Sequence, residues 1–181
     1  MEFIKKNPKL IILTGHAQSG KNETANIIKE YCENKNKKTV ILAYAKYIKD
    51  YIKEITNWDG SEETKPRELL QQLGVELIKN QIDENMLINR IKEDIKVYEY
   101  FFDVIIISDA RFVTEIENIK NNNTTVIKIE GKENNLTEIQ KNHITETALD
   151  NYNKYDYIIK NNKTKENLKK QIEKIMEEIK W

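Results

Sequence analysis

The chain has 181 residues, a third of them charged, with 30 basic and 30 acidic side chains and no net charge. That length suits one domain with a real core, and the even balance argues against a general nucleic-acid binder, which shows a basic excess or stripe. The lone cysteine, Cys32, excludes an intramolecular disulfide and fits a reducing, cytoplasmic setting. The N-terminal apolar run is far too short for a membrane span or a secretory leader, so neither is expected.

In chain order, Lys9 to Thr14 reads as a buried strand, followed by a glycine-containing loop and a helix from Lys21 to about Tyr31. Ala25, Ile28 and Cys32 give that helix an apolar stripe. Thr39 to Ala43 is a second strand. Tyr44 to Ile55 is helical, with Ile48, Ile52 and Ile55 on one face. After a loop, Thr64 is the expected cap of a helix whose first turn holds Pro66 and whose apolar side carries Leu69, Leu70, Leu73 and Leu77. Glu84 to Val97 is helical. Val104 to Ile107 is the most apolar run and reads as a strand covered on both faces. Phe112 to Ile119 is a helix, Thr124 to Ile129 a strand, and Thr137 to Gln140 has capping-box form. Tyr155 to Ile159 is the last strand, and Thr164 caps a helix with Leu168, Ile172, Ile175, Met176 and Ile179 at helical spacing. Strands alternating with helices predict a three-layer α/β/α fold around a mostly parallel five-stranded sheet, with ligands at the carboxyl ends of the strands.

The chemistry concentrates at those ends. Gly15-His16-Ala17-Gln18-Ser19-Gly20-Lys21 lies between the first strand and the first helix, the layout of a phosphate-binding P-loop. Lys21 can reach the outer phosphates as a point charge. Gly15, Ser19, Gly20, Lys21, Asn22 and Glu23 form the expected ATP-binding set. Asn22 stands where the motif usually has a magnesium-binding hydroxyl, so it is a candidate metal contact of a different kind.

Asp109, at the end of the Val104 strand, is the candidate carboxylate for Mg2+. Arg111, two residues on, can lie across a transferring phosphoryl group. Only three arginines occur in the chain. Arg67, in the first turn of its helix, meets the unfavourable end of the helix dipole, and an acceptor monophosphate would supply its missing anion. Gln71 lies one turn on and can contact a base edge. Asp83 is read either as a helix cap or as a sugar or base contact. His143 and Glu146, at i and i+3, make a weak metal site, without a second close histidine or cysteine.

Together these segments resemble the bacteriophage-type deoxynucleoside monophosphate kinases, a family of P-loop kinases. The resemblance rests on Gly15 to Asn22, on Pro66-Arg67-Glu68-Leu69-Leu70-Gln71-Gln72-Leu73-Gly74, and on Ile107-Ser108-Asp109-Ala110-Arg111-Phe112 with Glu115. His143 with Glu146, and Asp156 to Asn162, extend it toward the C-terminus. The family often has Asp after the lysine, where this chain has Asn22.

The resemblance implies phosphoryl transfer from ATP, with Mg2+, to a (deoxy)nucleoside monophosphate. Lys21, Arg111 and Asp109 would be catalytic, Arg67, Gln71 and Asp83 would hold the acceptor, and Asn161 would flank the adenine. It also implies one kinase domain over 1–181, with an acceptor-binding helical region at about 44–100 and a lid at about 132–151 that here lacks arginine. A homodimer and a viral origin are compatible with it; no nucleic acid or membrane partner is expected. The residues alone leave three alternatives open: a kinase for another phosphorylated metabolite, a nucleotide-binding regulatory module, and a DNA-linked ATPase.

Overall fold

A computed structural model describes residues 4–132 and 136–179. Among the described residues the strands β1 (Lys9–Thr14), β2 (Thr39–Leu42), β3 (Val104–Ala110), β4 (Thr124–Gly131) and β5 (Tyr157–Asn161) form one all-parallel sheet in the order β2-β3-β1-β4-β5. The period-2 alternation of a strand divides its side chains between two cores. Ile11, Leu13, Val104 and Ile106 face α1 (Lys21–Asn34) and α8 (Lys165–Glu178), where they meet Ile28, Ile172 and Met176. Leu10, Ile12, Ile105 and Ile107 face the other way. They pack against Tyr44 of α2 (Tyr44–Thr56), Ile91 of α4 (Met86–Tyr98) and Ile116 of α5 (Val113–Glu117). Both faces are therefore covered, which is why β3 reads as a continuous apolar run. Cys32 is buried in the first core, where burial pushes its thiol up to about 11, as suits a packing residue.

The central position of β1 matters for function. The chain crosses from β1 to the β3 side and later to the β4 side, so a crevice opens at the carboxyl end of β1, as at the switch point of other parallel sheets. Thr14 pairs with Ala110, which sets the loop after β1 beside the loop after β3.

Three local expectations are corrected. Thr64 is no cap: its hydroxyl joins Asp59 and Ser61, and α3 (Arg67–Gln71) starts after Pro66. The helix then continues as a π-helical segment, Gln72–Ile82, ending in an Asp83 amide bond to the Ile78 carbonyl five residues back. This wider turn changes which residues face inward: Gly74, Val75 and Ile78 are buried, and Leu77 is exposed. Ile55 is exposed as well, because α2 packs only through its other positions. The region 132–151 contains α6 (Glu138–Lys141), capped by Thr137, and α7 (Ile144–Thr147); residues 133–135 of the expected lid lie outside the described residues. Thr164 caps α8.

Candidate active site

The loop after β1 needs glycine at two points. Gly15 and Gly20 have φ of 141° and 96°, which L side chains rarely adopt. A Cβ at Gly15 would lie 2.3 Å from the Ile129 carbonyl oxygen, and one at Gly20 would lie 2.2 Å from Asn161 Nδ2. That amide nitrogen donates to the Ser19 carbonyl at 2.9 Å, so the end of β5 braces the loop. Ser19 Oγ is buried without a hydrogen-bond partner among the described residues. The first-turn amides of α1 point out of the helix start as unpaired donors, the usual anion cradle.

Lys21 folds back over this loop. Its ammonium donates to the carbonyls of Gly15 (2.8 Å) and His16 (2.7 Å). Burial, and then the nearby Arg111 charge, bring its pKa down to about 7, against the opposing pull of Glu146 and Asp109. Glu23 turns away and pairs with Lys165 of α8, whereas Asn22 lines the main cavity.

Asp109 uses both oxygens on the start of α2, accepting from Tyr44 N–H at 2.8 Å and Ala45 N–H at 2.9 Å. A carboxylate has about four acceptor positions, so each oxygen keeps a lone pair. Glu115 is buried and accepts from the amides of Arg111 (2.6 Å) and Phe112 (3.1 Å), holding the turn after β3. Burial pushes its carboxyl up to about 7. The Arg111 guanidinium donates to Glu146 Oε1 at 2.8 Å.

Lys65 and Arg67 line the same cavity, and the Lys65 charge adds to the lowering of the Lys21 pKa. Glu62 pairs with Lys65 and Arg67, at 2.7 Å and 3.2 Å. Those two bases and Lys49 hold the Glu62 carboxyl below its usual range, the Lys65 hydrogen bond foremost, and burial lowers the Lys65 pKa. Gln71 also lines the cavity and reaches Thr145 Oγ1 at a long 3.5 Å. The cavity, about 470 Å³, joins Gly20, Lys21 and Asn22 to Asp109, Arg111 and Arg67. Ile48, Leu70, Val75, Leu87 and Phe112 supply its apolar wall; Lys79 sits 3.4 Å over the Phe112 ring.

Asp83 lies outside this cavity. It accepts from the Asn85 amide at 2.8 Å ahead of α4 and borders a much smaller space. His143 caps α7 with its ring nitrogen facing Thr145, so it does not join Glu146, and no cluster of three or more potential metal ligands occurs among the described residues. Sequence reasoning passed over Lys65 and Glu62. The signal was present in Lys65, one residue before Pro66-Arg67, but a lysine among so many does not stand out.

An all-parallel sheet with this strand order, a glycine-braced loop after its central strand and a cation-lined cavity define the P-loop kinase fold. Solved structures agree, at identities that speak to fold alone. A sugar kinase from Janibacter sp. is 12% identical, with a TM-score of 0.56, covering 94% of this chain and 95% of that one. The APS kinase of Mycobacterium tuberculosis is 11% identical (TM-score 0.53; 94% and 97% covered), and the shikimate kinase of Acinetobacter baumannii, solved with shikimate, is 12% identical (TM-score 0.53; 96% and 94%). No curated protein is significantly similar in sequence. The family model described as deoxynucleotide monophosphate kinase matches residues 32–172, and the chain belongs to that family. The match begins beyond the P-loop, so the loop geometry and the family assignment are separate observations. The chain is thus a phosphotransferase, and among the described residues no helix is long and apolar enough to cross a membrane.

Proposed function

We propose that the protein transfers the γ-phosphoryl group of ATP to a (deoxy)nucleoside monophosphate. The observation that carries this reading is one cavity lined both by Lys21 and by a second pair of cations, Lys65 and Arg67. Lys21 and the α1 amides form a triphosphate cradle, Lys65 with Arg67 forms a second anion site, and the apolar lining of the same cavity suits a base. A kinase that used water as acceptor would need no second anion site.

Lys21 leaves the Gly15 and His16 carbonyls and takes the outer phosphates. Arg67 and Lys65 exchange Glu62 for the acceptor phosphate and hold it in line. Arg111 offsets the charge on the moving group. Gln71 faces the acceptor base. No covalent intermediate on the protein is needed, since positioning and fixed charge supply most of the acceleration in phosphoryl transfer. Asp109 and Asn22 fit a Mg2+ ion that arrives with the nucleotide, because Mg2+ is usually held by one or two carboxylates plus substrate phosphates and water. The metal would supply charge neutralisation at the phosphates.

The test is acceptor-dependent ADP release with ATP, Mg2+ and each of dAMP, dGMP, dCMP, dTMP and hydroxymethyl-dCMP, with no-acceptor controls. Diphosphate product from at least one monophosphate is expected, with activity lost in Arg67→Ala chiefly through the acceptor KM. ATP binding without turnover on any of them would defeat the nucleotide acceptor and return the other phosphorylated metabolites to consideration.

A further inference from the structure

Glu146 takes no part in the transfer scheme above, yet its carboxylate is buried in contact with both loops. Its side chain is 6% exposed. Oε1 accepts from Arg111 Nη1 at 2.8 Å, and Oε2 accepts from the Ala17 amide at 2.7 Å, with His16 Nδ1 at 3.6 Å. The carboxylate therefore spans the loop after β1 and the loop after β3 from a third element, α7.

We infer that Glu146 is a positioning residue, which fixes the Arg111 guanidinium at the mouth of the P-loop by tying it to the Ala17 amide. This deepens the proposed function and rests on it for the role of Arg111. Three features support it. The guanidinium has five N–H donors in a planar fork, and Glu146 engages one terminal nitrogen, so the others stay available for a phosphoryl group. The tether also leaves the first-turn amides of α1 to an anion, because it uses the Ala17 amide, which lies earlier in the loop. Finally, Glu146 supplies negative charge near both Lys21 and Arg111, and opposes the lowering of the Lys21 pKa that burial chiefly, and then the Arg111 charge, produce. The rival idea is that Glu146 plugs the phosphate site. A plug would be expected to capture the Lys21 ammonium, which instead donates to the Gly15 and His16 carbonyls.

Outer-shell partners that orient metal ligands typically matter by about 10- to 100-fold, and a tether on a guanidinium is expected to act on the same scale. Glu146→Ala should lower kcat by roughly that factor, with the KM for ATP within about threefold of wild type. Combined with Arg111→Ala, it should cause little further loss, because both changes remove the same positioned group. Additive losses, or tighter ATP binding in Glu146→Ala, would refute the positioning role, the second in favour of a plug.

Spectra of 15N-labelled, nucleotide-free protein test the tether without turnover. The Ala17 amide should be protected from exchange in wild type and in Glu146→Gln, which keeps an acceptor oxygen, and exposed in Glu146→Ala. The Arg111 side-chain N–H resonance should be slowed only in wild type. An Ala17 amide that exchanges equally in all three proteins would overturn the inference. If no monophosphate accepts phosphate from wild type, the acceptor reading falls, while the spectra still decide the tether. Thermal melting identifies a variant that has merely lost its fold, and Glu146→Gln then carries the test.

Discussion

Glu115 shows how much a single buried side chain can couple the site to solution conditions. Burial raises its carboxyl from 4.5 to about 7, with the Arg111 and Phe112 amides pulling it down and Asp109 pushing it up. Between these values the folded protein retains a proton that the unfolded chain has released. Folding stability should therefore fall as pH rises through that window, by up to about 1.4 kcal/mol per pH unit from this group. Urea melts from about pH 5 to about pH 8 should show the slope in wild type and a flatter curve in Glu115→Gln; parallel curves would mean that the carboxyl titrates normally. Glu62 offers a second case. As the internal partner of Lys65 and Arg67, it competes with an acceptor phosphate. Because it is exposed, the competition is worth only a surface ion pair, so Glu62→Gln should lower the acceptor KM by about two- to fivefold and leave the ATP KM in place. An unchanged acceptor KM would remove Lys65 and Arg67 from the acceptor site.

At the level of elements, what was legible in the sequence was local. The apolar runs of β1 and β3, the glycines at 15 and 20, and the Thr137 and Thr164 caps each depend on neighbours within a few residues. Thr64 and Leu77 depart from the sequence expectation because a turn with Asp59 and a π-helical phase override propensity and 3.6-residue spacing. The Glu146 contacts join residues 35 and 129 positions apart, and no window of sequence contains such a pair. Asn161 sits between these cases. The sequence suggests it as an adenine neighbour, and its side chain braces the Ser19 carbonyl. One neutral hydrogen bond contributes roughly 0.5–1.5 kcal/mol, so Asn161→Ala should weaken nucleotide binding by about two- to tenfold. Titrations with ATP and GTP separate the roles: an equal loss for both points to loop bracing, and a loss confined to ATP points to contact with the adenine.

Across the whole molecule, the two proposed anion sites share one cavity, because β1 and β3 are adjacent and the loops after them line it together with Arg67 of α3. A ligand that joins adenosine to a deoxynucleoside through a chain of phosphates would place anions on Lys21, Arg111 and Arg67 together. Linking the halves turns the second contact into an intramolecular one, so such a compound should bind more tightly than ATP and raise the melting temperature further at equal concentration. The geometry also sets how variants should respond. Arg67→Ala should erase the advantage of the linked compound while leaving the shift produced by ATP, since ATP uses only the P-loop end. Lys21→Ala should diminish both. Calorimetric titration in wild type and the two variants checks this pattern. If the linked compound bound no better than ATP in wild type, the Arg67 end of the cavity would not be an acceptor site for a nucleotide phosphate. The cavity would then hold a smaller phosphorylated partner, whose binding should still depend on Arg67 but not on the nature of any base.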